Sequence, residues 1–274
     1  MSGPVLQVTG LRKSYGAAVA VDDVDFVLER GGSLGIVGES GSGKTTTARI
    51  LVGLERATAG QVLLDGEDVT VPTRRDRRRR ARSIQMIFQD PYLSFDPRLT
   101  VAESIAEPLR LHGDGDRVRV GDMVARLCDQ VGLSTRNAAA LPRDLSGGQR
   151  QRAAIARALG IEPRVLVLDE AVAALDVSIQ AQVLTLLEEI RRDTGVSYVF
   201  VSHDLAVVRY ATETVLVMRH GRVVEQGDTE QVLGSPAHPY TRLLLASVPT
   251  PGWDPAAVAA ANRSPAHEEV TDRA

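Results

Sequence analysis

The chain has 274 residues, of which 43% are hydrophobic and 24% are charged, and this balance excludes a disordered or fibrous protein. A formal net charge of −3 excludes a chain that binds nucleic acid through its overall charge. The single cysteine, Cys128, excludes an internal disulfide framework and a metal cage built from this chain's thiolates.

No membrane-spanning segment is predicted. The longest uninterrupted apolar runs, such as residues 165–168 and 199–201, have the length of strands, whereas a spanning helix needs about 20 apolar residues. The first residues lack the basic and then apolar pattern of a secretion signal. We therefore expect a soluble chain, which could still work at a membrane if partner chains supply the spanning segments.

Short apolar runs alternate with amphipathic segments along the chain. The apolar runs predict strands at residues 5–8, 24–28, 34–37, 165–168 and 196–201, and hairpins around Asp65-Gly66 and His220-Gly221. Helical spacing predicts helices over residues 44–54, 101–111, 118–127, 146–159 and 183–190. The predicted fold is therefore α/β, with a parallel sheet covered on both faces and an attached antiparallel sheet. Residues 250–274, rich in proline, alanine and charge, are expected to be disordered.

A run of seven arginines in nine positions, residues 74–82, is the strongest local charge cluster. Such a run usually forms an exposed, solvated segment. A phosphate-binding patch is the alternative, but the run contains no aromatic residue that could stack on a base.

A glycine-rich loop, residues 38–45, follows the predicted strand at 34–37 and fits the pattern G-x-x-x-x-G-K-[ST] at every fixed position. Glycines let backbone N–H groups surround phosphate oxygens, and the following helix N-terminus adds partial positive charge. Lys44 is expected to reach the β- and γ-phosphates, and the Thr45 hydroxyl to bind Mg²⁺. The predicted nucleotide contacts here are Gly38, Ser40, Gly41, Ser42, Gly43, Lys44, Thr45 and Thr46.

Two acids, Asp169 and Glu170, end the buried strand at 165–168. Ligands of a doubly wound sheet sit beyond the carboxyl ends of its strands, so Asp169 is placed to hold Mg²⁺ directly or through water. Glu170 is placed to polarise a water for attack on a γ-phosphate. Such acids are more often exposed turn residues, but the phosphate loop favours the catalytic interpretation.

A second glycine-containing helix start lies at residues 145–149, Leu-Ser-Gly-Gly-Gln. Ser146 is a helix cap, and Gly147 and Gly148 leave the helix N-terminus open to an anion. One triphosphate rarely needs two such sites in one chain. This second site is therefore expected to serve a nucleotide held by another subunit.

These motifs, in this order, resemble those of the ATP-binding-cassette (ABC) ATPases over about residues 5–248. The loop at Lys44 resembles Walker A, residues 165–169 resemble Walker B, and residues 145–149 resemble the family signature. Gln89 resembles the Q-loop glutamine, and residues 174–176, which include Asp176, resemble the D-loop. His203 resembles the switch histidine, and Tyr15 resembles the aromatic residue that stacks on adenine. Outside this family, His203 and Tyr15 would more often be structural residues.

The resemblance implies a P-loop NTPase core of the RecA-like type, with an antiparallel β subdomain and an α-helical subdomain inserted at about residues 92–150. Two cassettes would face head to tail and enclose two ATP molecules, each touching Walker A of one chain and Ser146, Gly147, Gly148 and Gln149 of the other. Glu170, His203 and Gln89 would be catalytic. Thr45, Gln89 and Asp169 would hold Mg²⁺.

Residues 236–249 resemble the C-terminal extension of the oligopeptide, dipeptide and nickel importer branch. The resemblance implies two membrane permease subunits, a second ATPase subunit (a copy or a paralogue) and, indirectly, an extracytoplasmic solute-binding protein. The expected location is the cytoplasmic face of the cell membrane, with no nucleic-acid partner. Some relatives carry a cysteine-rich metal cluster near this end, and none is predicted here.

One departure concerns Ala171 and Val172, which stand where the family usually has proline and then threonine or serine. Without the fixed φ of proline, the loop after Glu170 is expected to be less rigid. Two alternative functions remain open at this point. A soluble ABC-type ATPase acting on nucleic acid would have only the arginine run in its favour, and a P-loop small-molecule kinase would leave residues 145–149 unexplained.

Overall fold

The computed structural model describes residues 3–70, 74–90, 94–112, 117–173 and 175–247, so the tail at 250–274 lies outside it. In chain order its strands are β1 (Leu6–Tyr15), β2 (Ala18–Leu28), β3 (Ser33–Val37), β4 (Ala59–Leu64), β5 (Glu67–Asp68), β6 (Ile84–Ile87), β7 (Val165–Asp169), β8 (Ser197–Val201), β9 (Thr214–Arg219) and β10 (Arg222–Asp228). Its helices are α1 (Lys44–Val52), α2 (Arg74–Ser83), α3 (Val101–His112), α4 (Arg117–Gln130), α5 (Thr135–Ala139), α6 (Gly147–Leu159), α7 (Val177–Thr194), α8 (Leu205–Ala211), α9 (Thr229–Gly234) and α10 (Pro239–Ala246).

The smaller sheet is antiparallel, with the strand order β2-β1-β4-β5. Its apolar side chains, such as Val8, Leu11 and Val24, are buried, while polar neighbours along the same strands are exposed. The predicted hairpin at Asp65-Gly66 is confirmed by the pairing of Leu64 with Glu67. β1 and β2 are longer than predicted, since their pairing continues to Tyr15 and Ala18. Most residues of this added part are partly or fully exposed.

The larger sheet has the order β10-β9-β3-β8-β7-β6. All its pairs are parallel except β10 with β9 at the edge, which confirms the predicted hairpin around His220-Gly221. The strands β3, β7 and β8 are buried at every residue. Their continuous apolar runs predict this, because such runs are typical of a parallel sheet with both faces covered. The α/β prediction with an attached antiparallel sheet is therefore confirmed.

The helix starts follow capping chemistry. The Ser146 hydroxyl accepts from the Gln149 N–H, and the Gln149 side chain accepts from the Ser146 N–H, a reciprocal capping box at α6. At α7 the Asp176 carboxylate accepts from the Ile179 N–H, and the helix ends at Gly195 as predicted. The sequence prediction missed α2, β6, α8 and α9, whose apolar periodicity is short or interrupted by charge.

Helices α3 to α6 follow β6 in the chain and share one apolar cluster with α7 and the face of β7 and β8. Ile105, Val124 and Ile155 are buried members from three of these helices, and Cys128 is 4% exposed within the same cluster. Burial raises the pKa of the Cys128 thiol. The bounds predicted for the helical subdomain, about residues 92–150, stay a prediction. The apolar core of this layer includes residues of α6 and α7 beyond residue 150. No helix in the described ranges is long and apolar enough to cross a bilayer.

The arginine run forms α2, and one of its members is not solvated. Arg80 is 3% exposed, and its guanidinium donates to the carbonyl oxygens of Leu51 and Val69 at 2.7 and 2.8 Å and to that of Ile50. Two of these carbonyls, those of Ile50 and Leu51, belong to the last turn of α1, where carbonyl groups lack the helical N–H four residues further on. Burial lowers the pKa of Arg80 to about 10, so it stays charged at neutral pH. The prediction of an exposed segment is confirmed for Arg77, Arg78 and Arg82, and is wrong for Arg80.

Replacing Arg80 by methionine should lower the free energy of unfolding by about 3 kcal/mol, because three buried carbonyls lose a charged donor. Urea denaturation measures this loss. Arg78→Met, at an exposed position of the same helix, is the control and should change stability by less than about 0.5 kcal/mol. Equal losses in the two variants would contradict a capping role for Arg80.

Candidate nucleotide-binding site

The carboxyl ends of the central strands meet at one edge of the larger sheet. The register pairs Ile36 of β3 with Val201 of β8, and Val201 with Asp169 of β7. The loop at 38–45 follows β3. Asp169 ends β7, Glu170 comes directly after it, and His203 follows β8. Parallel pairing therefore assembles side chains that are more than 120 residues apart in the chain.

The turn out of β3 depends on Gly38. Its φ is +149°, and a Cβ at this position would lie 2.2 Å from the carbonyl oxygen of Met218. Only glycine fits so close to the end of β9. The loop then curls into α1, leaving backbone N–H groups at the helix N-terminus that can receive an anion.

Lys44 is the first residue of α1 and is only 6% exposed. Its ammonium donates to the carbonyl oxygens of Gly38 and Glu39, at 2.7 and 2.8 Å. Burial lowers the pKa of Lys44, and the carboxylates of Glu170, Asp169 and Glu39 oppose that shift. The cation is therefore folded back over its own loop and faces three acids.

Thr45 and Asp169 form the oxygen-rich side of the site. The Thr45 hydroxyl donates to Asp169 Oδ1 at 3.4 Å. Burial raises the pKa of Asp169, and the neighbouring Glu170 raises it further, against the opposing effects of Thr45, Arg49 and Lys44. A hydroxyl and a carboxylate suit Mg²⁺, which usually takes one or two protein ligands together with phosphate oxygens. No cluster of three or more His, Cys, Asp and Glu side chains capable of holding a metal occurs within the described residues.

The loop also contains a polar atom that fits a ligand. The hydroxyl oxygen of Ser42 is buried and has no hydrogen-bond partner. Buried polar groups are rarely left unsatisfied unless a ligand or water completes them. The donor set and this orphaned atom both fit a bound nucleotide phosphate with Mg²⁺.

Glu170 and His203 face each other across the strand ends. His203 Nδ1 lies 3.1 Å from Glu170 Oε1. The backbone of Glu170 has φ +48°, a left-handed conformation uncommon for residues with a side chain, and its N–H donates to the Val201 carbonyl at 2.8 Å. Backbone strain of this kind clusters at functional sites.

A cleft of about 440 Å³ unites most of these groups. Its lining residues are Ala20, Ser40, Gly41, Gly43, Lys44, Thr45, Thr46, Glu170 and His203. Ala20 was not predicted from the sequence. It contributes through its place at the start of β2, and alanine carries no chemical signal that could have revealed it.

Several predicted site residues lie outside this lining. Tyr15 ends β1 with an exposed ring, and the Lys13 ammonium sits 4.5 Å from the ring centroid. Gln89 is exposed two residues beyond the end of β6, which runs beside β7. Asp176 caps α7, and Ser146 to Gln149 form the start of α6. The roles predicted for these residues stay predictions.

The start of α6 packs closely on α7. A Cβ on Gly148 would lie 2.5 Å from Cγ2 of Ile179, so this helix contact requires glycine. Ser146 remains exposed. The start of α6 is therefore absent from the described lining of the cleft, and the role predicted for it stays a prediction.

The loop after Glu170 is anchored by apolar side chains. Ala171 and Val172 are 6% and 4% exposed and belong to the core cluster shared with the helical layer. The Ala173 N–H donates to the Glu170 carbonyl at 3.1 Å, and the Leu175 N–H donates to the Val172 carbonyl at 3.2 Å. Residue 174 lies outside the described residues. The buried side chains of Ala171 and Val172 therefore attach the loop after Glu170 to the core, at the positions where the family usually has proline and then threonine or serine.

A parallel sheet with a glycine-rich loop, a following helix and acids at the end of a strand two positions along the sheet defines the class of P-loop nucleotide-binding proteins. The family model described as "ABC transporter" matches residues 21–173, which is more than half of the chain. The chain belongs to this family. A second model, "Oligopeptide/dipeptide transporter, C-terminal region", matches residues 224–272.

Curated relatives agree with both matches. The chain is 49% identical over 246 residues to "Oligopeptide transport ATP-binding protein OppD" of Mycobacterium tuberculosis, covering 90% of this chain and 40% of that protein. It is 45% identical over 255 residues to a "Putative peptide import ATP-binding protein" of Brucella abortus, covering 92% of this chain and 80% of that protein. The chain thus spans less than half the length of the first relative and most of the second.

Solved structures share the fold. The cbiO1 subunit of Clostridium perfringens, described as part of the ABC transporter complex cbiONQ, superposes with a TM-score of 0.78 at 26% identity, covering 85% of this chain and 92% of that one. The cassette MJ0796, described as a dimer in a post-hydrolysis state bound to ADP and Pi, gives a TM-score of 0.74 at 28% identity, covering 82% and 98%.

Replacing Asp169 by asparagine should raise the stability of the nucleotide-free protein by about 1 kcal/mol at neutral pH, because a buried carboxylate beside Glu170 is removed. Because the pKa of Asp169 is raised, the ionised carboxylate lowers the free energy of unfolding of the wild-type protein. This loss of stability disappears as the pH falls through that pKa. The advantage of the variant should therefore shrink on acidification.

Thermal unfolding from pH 8 to pH 4 measures this difference. Asp129→Asn, at an exposed position of α4, is the matched control for loss of one negative charge and should leave stability within about 0.5 kcal/mol. An Asp169→Asn protein less stable than wild type at pH 7 would contradict the electrostatic account.

Proposed function

We propose that this chain is the ATP-binding and ATP-hydrolysing subunit of a membrane importer for peptides or a similar small solute. The proposal rests above all on one observation: Lys44, Thr45 with Asp169, and the Glu170–His203 pair converge at one cleft. These are the groups that phosphoryl transfer to water requires: a phosphate cradle, a cation site and a base.

The phosphates are bound by the loop and the start of α1. The backbone N–H groups from Gly41 to Thr46 and the Lys44 ammonium supply donors and positive charge. Lys44 is already held at the loop by the Gly38 and Glu39 carbonyls, so little side-chain entropy remains to be lost on binding. The orphaned Ser42 hydroxyl lies in the same loop.

Thr45, Asp169 and Gln89 would hold Mg²⁺, which neutralises charge on the β- and γ-phosphates when bound. Glu170 accepts a proton from the water that attacks the γ-phosphorus, and ADP leaves with the β–γ bridging oxygen. His203, 3.1 Å from Glu170, orients that carboxylate and lies beside the γ-phosphate end.

The nucleotide is enclosed by a second cassette, a copy of this chain or a paralogue. Ser146, Gly147, Gly148 and Gln149 of one chain meet the phosphates bound by the other, and Asp176 lies at the contact. This arrangement is supported by the exposure of Ser146 and by the absence of these residues from the described lining of the cleft. Tyr15 stacks on adenine through its exposed ring. The solved neighbours include a dimeric cassette.

The membrane permeases dock on a groove next to Gln89. This groove, of about 290 Å³, lies between the β6 edge and the helical layer, and its lining includes Leu54, Phe88 and Pro108. Leu54 is 61% exposed and Phe88 is 38% exposed, so the groove presents apolar surface that a partner would cover. A partner seated here would sense the position of Gln89 between the cation site and the helices. Closure and opening of the two cassettes then drives the permeases at the cytoplasmic face of the membrane.

Peptides are the proposed solute class because the C-terminal family match and the relatives named above point to peptide import. A relative named "Glutathione import ATP-binding protein GsiA", from Salmonella choleraesuis, is 44% identical over 257 residues and broadens the class to small peptide-like solutes. An extracytoplasmic binding protein and the permeases would select the solute. The comparisons give no support to a nucleic-acid ATPase or a small-molecule kinase.

Replacing Glu170 by glutamine should lower ATP hydrolysis by about 10²- to 10⁴-fold while ATP binding is kept, because the amide preserves shape and loses the base. Phosphate release and ATP binding are measured on the full chain purified from membranes with its permeases. Uptake of labelled peptides into vesicles holding that complex should fall in parallel. Retained hydrolysis within tenfold of wild type would exclude Glu170 as the base, and uptake of no peptide by the wild-type complex would exclude the peptide assignment.

Two inactive variants should restore each other if the sites form between chains. Lys44→Ala removes the phosphate cradle, and Ser146→Asp keeps a helix cap while placing negative charge against phosphate. A mixed dimer of the two holds one fully intact composite site. Mixing them should therefore recover phosphate release that neither shows alone, with Lys44→Ala mixed with Lys44→Ala as control. No recovery from mixed dimers of verified composition would contradict sites shared between copies of this chain.

A further inference from the structure

The C-terminal segment reaches back to the nucleotide loop. The backbone N–H of Glu39, the second residue of that loop, donates to the hydroxyl oxygen of Tyr240 at 3.1 Å. Tyr240 lies in the first turn of α10, 201 residues further along the chain.

Tyr240 is held in place by a network at the start of α10. The Glu225 carboxylate of β10 accepts from the N–H groups of Ala237 and His238, at 2.8 and 3.1 Å. The ring nitrogen Nδ1 of His238 then accepts from the Tyr240 N–H at 3.1 Å. The Arg242 guanidinium donates to the Ala237 carbonyl at 2.8 Å. The helix start that carries Tyr240 is therefore fixed to the edge strand of the larger sheet.

The Tyr240 ring is fixed as firmly as its backbone. It is 1% exposed and packs in an apolar cluster with Val37, the last residue before the loop, and with Val217 of β9. The Arg219 guanidinium lies 4.9 Å from the ring centroid, within the range of a cation–π contact. A ring confined in this way places its hydroxyl at one point beside the loop.

Hydrogen bonds therefore fix both the backbone N–H and the backbone carbonyl of Glu39. Tyr240 accepts from its N–H, and the Lys44 ammonium donates to its carbonyl. We propose that Tyr240 is a positioning residue of the nucleotide site: it fixes the Glu39 backbone so that Lys44 and the loop N–H groups are set for phosphate before nucleotide arrives. This inference rests on the proposed nucleotide binding and assigns to the C-terminal segment a direct part in it.

Tyr198 offers a matched control. It is also 1% exposed, and its hydroxyl also bonds to the backbone, donating to the Leu187 carbonyl at 2.8 Å. It faces α7 and belongs to the helical-layer cluster, not to the cluster behind the loop. Tyr198→Phe and Tyr240→Phe each remove one buried hydroxyl and keep the ring, so a purely structural effect should be similar in both.

The test compares the wild-type full chain with Tyr240→Phe and Tyr198→Phe. MgADP, which is not hydrolysed, is titrated by calorimetry, and the melting temperature of each protein is recorded. Tyr240→Phe should weaken MgADP binding by about three- to tenfold, as expected for loss of one hydrogen bond that sets the loop. Tyr198→Phe should leave the affinity within twofold, even if both variants lose similar stability.

Hydrogen exchange of the loop gives a second readout that needs no nucleotide. The Glu39 amide should exchange faster in Tyr240→Phe than in wild type, and at the wild-type rate in Tyr198→Phe. Unchanged MgADP affinity in Tyr240→Phe, or equal losses in the two variants, would overturn the positioning role. A wild-type protein that does not bind MgADP would instead overturn the proposed function on which the role rests.

Discussion

The parallel register of β3, β8 and β7 is the constraint on which the site depends. Because Ile36, Val201 and Asp169 pair across these strands, the segments that follow them must emerge at one edge of the sheet. All three strands are buried at every residue, so a slip in register would move core side chains as well as site residues. The packing of apolar side chains in these strands therefore determines where the polar side chains of the site lie.

Electrostatics at that edge is costly in the absence of a ligand. Lys44 and Asp169 are both buried. Burial lowers the pKa of Lys44 and raises the pKa of Asp169, so in each case it favours the neutral form. The attraction between the lysine and the acids offsets part of this cost, and the left-handed backbone at Glu170 adds to it. A bound phosphate and a cation would offset these costs, because each brings charge opposite to that of a buried group.

Local sequence carries much of this site. The loop residues are contiguous and their spacing has a physical reason, so Gly38 to Thr46 could be predicted as a unit. Asp169 and Glu170 follow from a buried strand that ends in acids. The C-terminal resemblance at 236–249 agrees with the family match to residues 224–272.

What escaped prediction depends on tertiary contacts. Arg80 is one of seven arginines in a run, and nothing local shows that it turns inward to the end of α1. Tyr240 is one tyrosine on a short helix, and its partner Glu39 lies 201 residues away. Ala20 lines the cleft only because β2 brings it there. Pattern and composition describe neighbours in the chain, whereas these roles arise between distant segments.

The solitary thiol of Cys128 gives the helical layer an internal reporter. It is the only cysteine in the chain, it is 4% exposed, and burial keeps it in the unreactive protonated form. A thiol reagent can modify it only when the packing of the helices around it loosens. The rate at which the reagent labels Cys128 therefore reports local opening of the helical layer, without any engineered probe.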